Sequence, residues 1–237
     1  MKPEPVEVVQ LTHSRRQTLP AAEEDERYQI EPLARTHLPQ MLPVLSQAFP
    51  TSPLVALGPR FLKELLGSYV ALPGGCGYVC LHGQELVGFV VGTEDSGRHR
   101  RELLRRRWAP ILLYVLHGLA VSPRRVGQLA GYLRSYLRLL RPTRPTHQGN
   151  KDVAAVPPPS LVLLGVSPAH RRRGIAARLT RAFLDEMAAR GMDAVKLAVA
   201  SDNEAALAFY LSRGWGVAGR HPSPEGNIAY RLIYRLA

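Results

Sequence analysis

The sequence predicts an α/β chain, in the α+β sense of one mixed central sheet of about six or seven strands flanked by helices, with a basic helical insertion between the third and fourth strands. Three observations predict it. Short β-rich runs alternate with segments whose apolar residues recur every three or four positions. The length of 237 residues suits one domain carrying an insertion and can bury a full core. The charge is lopsided: the net charge is +12, and the stretch from Arg98 to Arg144 holds twelve arginines and one acid, so it carries +11 of that total.

Residues 1–26 combine early prolines with an acidic cluster at Glu23, Glu24, Asp25 and Glu26, which predicts a mobile tail ahead of a domain over 27–237. Tyr28-Gln29-Ile30 reads as a short strand. From His37 to Phe49, Leu38, Met41, Leu42, Leu45 and Phe49 have helical spacing, and Pro59 to Tyr69 repeats it with Phe61, Leu62, Leu65 and Leu66. Gly77–Leu81 and Leu86–Gly92, joined by His82-Gly83-Gln84-Glu85, form a hairpin pattern. The insertion follows at about 97–150. Strand character returns at Leu161–Val166, then a helix at Arg172–Arg190, a strand at Ala194–Val199, a helix at Asn203–Ser212, and strands at Trp215–Arg220 and Asn227–Leu236.

Cysteine usage excludes a disulfide-rich scaffold. Cys76 and Cys80 fall on one face of a strand and read as small buried residues, since no other Cys or His cluster supplies further metal ligands; no metal is expected. The N-terminus lacks the continuous apolar core of a secretory signal, so a cytoplasmic protein is expected. The longest weakly charged apolar run, Trp108 to Val121, has 14 residues, short of the roughly 20 a membrane span requires.

Chemistry concentrates where the strand Leu161–Val166 runs through a basic turn into an amphipathic helix carrying Ile175, Leu179, Phe183 and Met187 on one face. The first turn of such a helix offers unpaired N–H groups and the positive end of its dipole, which together favour a phosphate. Gly174 allows close backbone approach, Ala176 is the next small residue, and Arg171, Arg172 and Arg173 add charge. A solvated helix start is the competing reading, and this turn alone does not decide between them. Downstream lies Ser201-Asp-Asn-Glu-Ala-Ala-Leu-Ala-Phe-Tyr210, followed by Gly214-Trp215.

Taken together, these two stretches resemble the GNAT superfamily of N-acetyltransferases. Arg171-x-x-Gly174-x-Ala176 after Val166-x-Pro168 is similar to the family's turn, and Asn203, Ala206, Tyr210 and Gly214-Trp215 to its later element. The resemblance implies acetyl-CoA as cosubstrate, its pyrophosphate on the backbone amides of Arg171, Arg172, Arg173, Gly174, Ile175 and Ala176. It implies a pantetheine arm lying between the strands at 161–166 and 194–199, so that Leu164 and Val166 line it together with Asn203 and Ala206. Tyr210 would be the general acid for the departing thiolate. Asn203 also reads as a helix N-cap, and Tyr210 as a half-buried helix aromatic. A phenol with an ordinary pKa near 10 can donate to a thiolate.

The implied function is transfer of acetyl to a primary amine of a small molecule or amino sugar, by direct attack in a ternary complex. The fourth strand carries no acid where family members often place a base, leaving Glu94, Asp95 and Asp202 as low-ranking candidates. That gap sustains a rival from another class: a catalytically inactive acyl-CoA-binding module docked through its basic helices. Within 123–141, Val126, Leu129, Ala130, Leu133, Tyr136, Leu137 and Leu140 oppose Arg124, Arg125, Arg134, Arg138 and Arg141, a basic amphipathic helix, and a second helical piece is expected over Arg100–Leu116. These helices are expected first as a lid or wall of the acceptor site, next as a contact of residues 98–144 with an anionic membrane surface, which would make the protein peripheral, or as a wall whose arginines pair with the phosphates of a nucleotide-linked amino sugar. Nucleic acid ranks lower, for want of a recognition motif, and a homodimer is left open.

Overall fold

The computed structural model describes residues 27–50, 52, 55, 58–106, 158–222 and 228–236. The expected tail, the helix at 123–141 and the insertion beyond residue 106 lie outside the described residues. Strands β1 (Tyr28–Pro32), β2 (Gly75–His82), β3 (Glu85–Thr93), β4 (Ser160–Val166), β5 (Ala194–Ala200), β6 (Gly216–Pro222) and β7 (Ile228–Arg235) form one sheet in the order β1-β2-β3-β4-β5-β7-β6. Helices α1 (Leu38–Ala48), α2 (Pro59–Ala71) and α3 (96–106) lie on one side, and α4 (Ile175–Ala189) on the other, with the short α5 (Glu204–Leu211). Neighbouring strands are antiparallel except β4 and β5.

Alternation along β2, β3 and β4 divides their apolar side chains between two cores, while β5 and β7 contribute to one. On one face Val79, Phe89 and Val91 meet Met41, Leu45, Phe61 and Leu66 of α1 and α2. On the other, Val90, Leu161, Val195, Leu197 and Leu232 meet Ile175, Leu179, Phe183 and Met187 of α4. Cys76 and Cys80 belong to this second core as free thiols, and burial pushes their pKa values up to about 12 and about 11. They are packing residues, as their spacing predicts.

Two departures from the sequence reading are informative. Helix α4 begins at Ile175 rather than Arg172, because Arg172 and Gly174 hold positive φ angles of 61° and 75°, which no right-handed helix accommodates. Helix α3 is under way at residue 96, before the expected start at Arg100, because Asp95 caps it: its Oδ1 accepts from the N–H groups of Gly97 at 2.7 Å and Arg98 at 3.0 Å. His99 then seats α3 on α2, bonded to Ser68 Oγ at 2.9 Å and stacked on Tyr69. Among the described residues no helix is long and apolar enough to cross a membrane.

Candidate active site

The parallel pairing of β4 and β5 is confined to Ser160 opposite Lys196. Beyond that point the strands part. A register shift against β3 leaves Val162 as an extra residue of β4, and such a bulge bends the strand that carries it. The result is a cleft of about 790 Å³, walled by Leu161–Val166 of β4, Leu197–Ala200 of β5, one side of α5, and Ala48, Phe49, Pro50 and Ser52 after α1.

The cleft opens onto the turn before α4. Ser167 anchors that turn, its N–H donating to Val87 O at 2.8 Å, and the hydroxyl of Tyr28 meets His170 Nδ1 at 3.1 Å. Gly174, the N-cap of α4, supplies no side chain to the first helical turn, and among the described residues no backbone carbonyl accepts from Ile175 or Ala176. Left-handed conformations at Arg172 and Gly174 on either side of Arg173 gather consecutive amides into a concavity suited to an anion. A helix of 15 residues stands behind it with its positive end forward.

The sequence-predicted residues divide clearly. Leu164, Val166, Arg171, Arg172, Ala176, Asn203, Ala206 and Tyr210 line the cleft together. Arg173, Gly174 and Ile175 are not in its walls: Arg173 is exposed, and the Ile175 side chain is buried in the core at 1% exposure, leaving only its main chain to face a ligand. Asn203 caps α5, its side-chain oxygen accepting from the Ala206 N–H at 3.1 Å, and it stands in the cleft wall as well, so both sequence readings of this residue hold geometrically.

Tyr210 is 6% exposed, held edge-on between Phe209 and Trp215 at centroid distances of 5.0 and 5.4 Å. Among the described residues its hydroxyl has no hydrogen-bond partner, and burial raises its pKa. The phenol therefore stays protonated at neutral pH.

The three candidate bases sit in different settings. Glu94 pairs with Arg190 at 2.7 Å and Asp95 caps α3. Asp202 is the one that lines the cleft. Sequence reasoning missed the wall contributed by Ala48, Phe49, Pro50 and Ser52, because the loop after α1 carries no motif and only the fold brings it to β4. Among the described residues no group of three His, Cys, Asp or Glu side chains is placed to hold a metal.

The chain matches the acetyltransferase (GNAT) family over residues 39–215. It is 44% identical over 72 residues to the N-alpha-acetyltransferase RimI of Mycobacterium tuberculosis, a stretch that is 29% of this chain and 44% of that protein. It is 50% identical over 48 residues to the mycothiol acetyltransferase of Clavibacter michiganensis, covering 20% of this chain and 16% of the relative. Its fold superimposes on the PaiA N-acetyltransferase of Thermoplasma acidophilum, crystallised with coenzyme A, with a TM-score of 0.51 and 12% identity over 87% of this chain and 99% of the other. The sheet parted at β4 and β5, the uncapped turn at its mouth and the family match over most of the chain converge: this chain belongs to the GNAT family of acetyltransferases.

Proposed function

We propose that the protein is an acetyl-CoA-dependent N-acetyltransferase that acylates a neutral primary amine on a small molecule or amino sugar, by direct attack in a ternary complex. One observation carries the reading: the wedge between β4 and β5 joins a turn with uncapped amides at one end to a tyrosine on its wall that is buried, protonated and, among the described residues, without a hydrogen-bond partner. The residues fit the cosubstrate. The amides of Ile175 and Ala176, with Arg171 and Arg172, would hold the pyrophosphate. The parted edge of β4 at Leu164 and Val166, with Asn203 and Ala206 opposite, would take the pantetheine arm.

When bound, acetyl-CoA supplies an activated acyl carbon and a thiolate leaving group. As the amine nitrogen bonds to that carbon and the C–S bond breaks, the Tyr210 hydroxyl delivers its proton to sulfur. Burial of the phenol keeps that proton in place until the sulfur develops charge. Asp202 lines the same cleft and would take the proton lost by the amine, directly or through water.

A second acceptor class has specific support. The relative matched over 72 residues is named an N-alpha-acetyltransferase, which makes a peptide α-amine the alternative acceptor. The experiment is calorimetry with coenzyme A, followed by thiol release from acetyl-CoA against amino sugars, small amines and short peptides with free N-termini. Heat with coenzyme A and release with one class is the expected result, and that class names the acceptor. Binding without release above the water background in all three would leave an inactive acyl-CoA-binding module. No heat at all would overturn the assignment of the turn.

A further inference from the structure

At the closed end of the wedge, on the sheet face away from α4, lies a depression of about 300 Å³ lined by Ser96, Ser160, Lys196, His221 and Arg231 together with Leu161, Val162, Leu197 and Ala198. The last four residues also wall the cleft, so the two spaces adjoin across β4 and β5.

The chemistry of this depression is one-sided. Lys196 and Arg231 converge from neighbouring strands, β5 and β7, and among the described residues neither side chain has an ion-pair partner. Asp95 is the carboxylate that acts on Lys196 from a distance, and its Oδ1 is already engaged by two amides at the start of α3. Half-burial and the nearby guanidinium of Arg231 both disfavour the charged form of Lys196, a cost that a bound anion would reverse.

A second, independent observation points the same way. Among the described residues Ser96 Oγ and His221 Nδ1, both on residues lining this depression, are buried with no hydrogen-bond partner. Buried polar atoms are nearly always satisfied, and each of these can donate. Two potential cations and two orphaned donors together describe a receptor for an oxyanion. Lysine is also an unexpected residue here, since Ala194–Ala200 is otherwise apolar.

Position supplies the substrate class. The cofactor turn lies at the end of β4 marked by Val166, and the depression at the end marked by Ser160, six residues or roughly 20 Å of extended chain away. An arm entering at the turn and following β4 carries its thioester toward that closed end. We propose that Ser96, Lys196, His221 and Arg231 form the acceptor's anion subsite, so that the amine substrate bears a carboxylate or phosphate held here while its amino group reaches across Leu161 and Val162 to the acyl carbon. This deepens the acetyltransfer reading and rests on it.

The test uses amines matched except for charge: 3-aminopropionate against its amide, and 2-aminoethyl phosphate against ethanolamine. The anionic member should show kcat/KM about tenfold or more above its neutral partner, in keeping with charge-assisted hydrogen bonds. The stronger of the two anions tells carboxylate from phosphate. Replacing Lys196→Met with Arg231→Gln should erase the preference and leave coenzyme A affinity within about twofold, while Lys196→Arg should keep it. Calorimetry of each anion with the coenzyme A-saturated protein gives the same answer without turnover. Equal rates and equal heats within each pair, or a preference that survives the double substitution, would overturn the subsite and leave acetyl transfer standing. Absence of heat with coenzyme A itself would instead overturn the underlying assignment.

Discussion

At Tyr210 a single hydroxyl separates packing from chemistry. The ring is locked between Phe209 and Trp215, and the hydroxyl makes no hydrogen bond among the described residues, so Tyr210→Phe removes a proton donor without removing a structural contact. The expected outcome is a fall in kcat of about hundredfold, at the lower end of the range for general acids, with unchanged melting temperature and coenzyme A affinity. Steady-state kinetics beside a thermal melt checks it, and unchanged turnover would remove Tyr210 from the mechanism. The sequence exposed this residue because it is the last member of a spaced pattern with Asn203 and Ala206. It could not expose Lys196 or Arg231 as partners. They lie 35 positions apart on strands whose adjacency depends on β7 inserting between β5 and β6.

Among the elements, β4 determines whether a site exists. Its two ends have opposite duties: Ser160 closes on β5 while Val166 stands apart from it. Its approach to β3 at the closed end depends on Gly92. A Cβ there would overlap both the Phe183 ring of α4 and the Ser160 carbonyl oxygen. Gly92→Ala is therefore expected to cost about 1–3 kcal/mol through overpacking. At roughly 2–4 °C per kcal/mol for a chain of this size, a drop of several degrees should appear in a thermal melt. Coenzyme A affinity should fall with it, since the displaced carbonyl belongs to the residue where the wedge closes. A melt within a degree of the parent chain would show that the β3–β4 seam yields freely. Most of the described strands and helices were legible in the sequence, because runs of β-forming residues or apolar residues at helical spacing mark them. The bulge at Val162 was not: an extra residue in an apolar run leaves no mark in composition, and its presence is set by pairing with β3.

The whole molecule holds α4 at both ends, and the two attachments serve different purposes. Near the cofactor turn, the Arg178 guanidinium donates to the carbonyl of Tyr28 at 2.6 Å, fixing the helix to the edge strand β1. At the far end Arg190 joins Glu186 and Glu94, each at 2.7 Å, and Tyr78 donates to Glu186 at 3.1 Å, so one guanidinium links α4 to the end of β3 and, through the carboxylate, to β2. The hydrogen bond from Arg190 holds the Glu186 carboxyl below its ordinary value, with Tyr78 assisting and partial burial opposing. A carboxylate whose folded pKa is depressed contributes stability that is present above its unfolded value, about 4.3, and is lost as pH falls through the folded value. The melting temperature should therefore fall below about pH 4.3 partly on account of Glu186. Glu186→Gln keeps a hydrogen-bonding side chain but cannot titrate. Its deficit relative to the parent chain should be present at pH 6 to 7 and shrink as the pH falls below that value, because the parent then also carries a neutral group. Melting both proteins across that range at one ionic strength is the measurement. A deficit independent of pH would mean that Arg190 draws its hold on the sheet from Glu94 alone, and that the far end of α4 is fastened by one carboxylate instead of two.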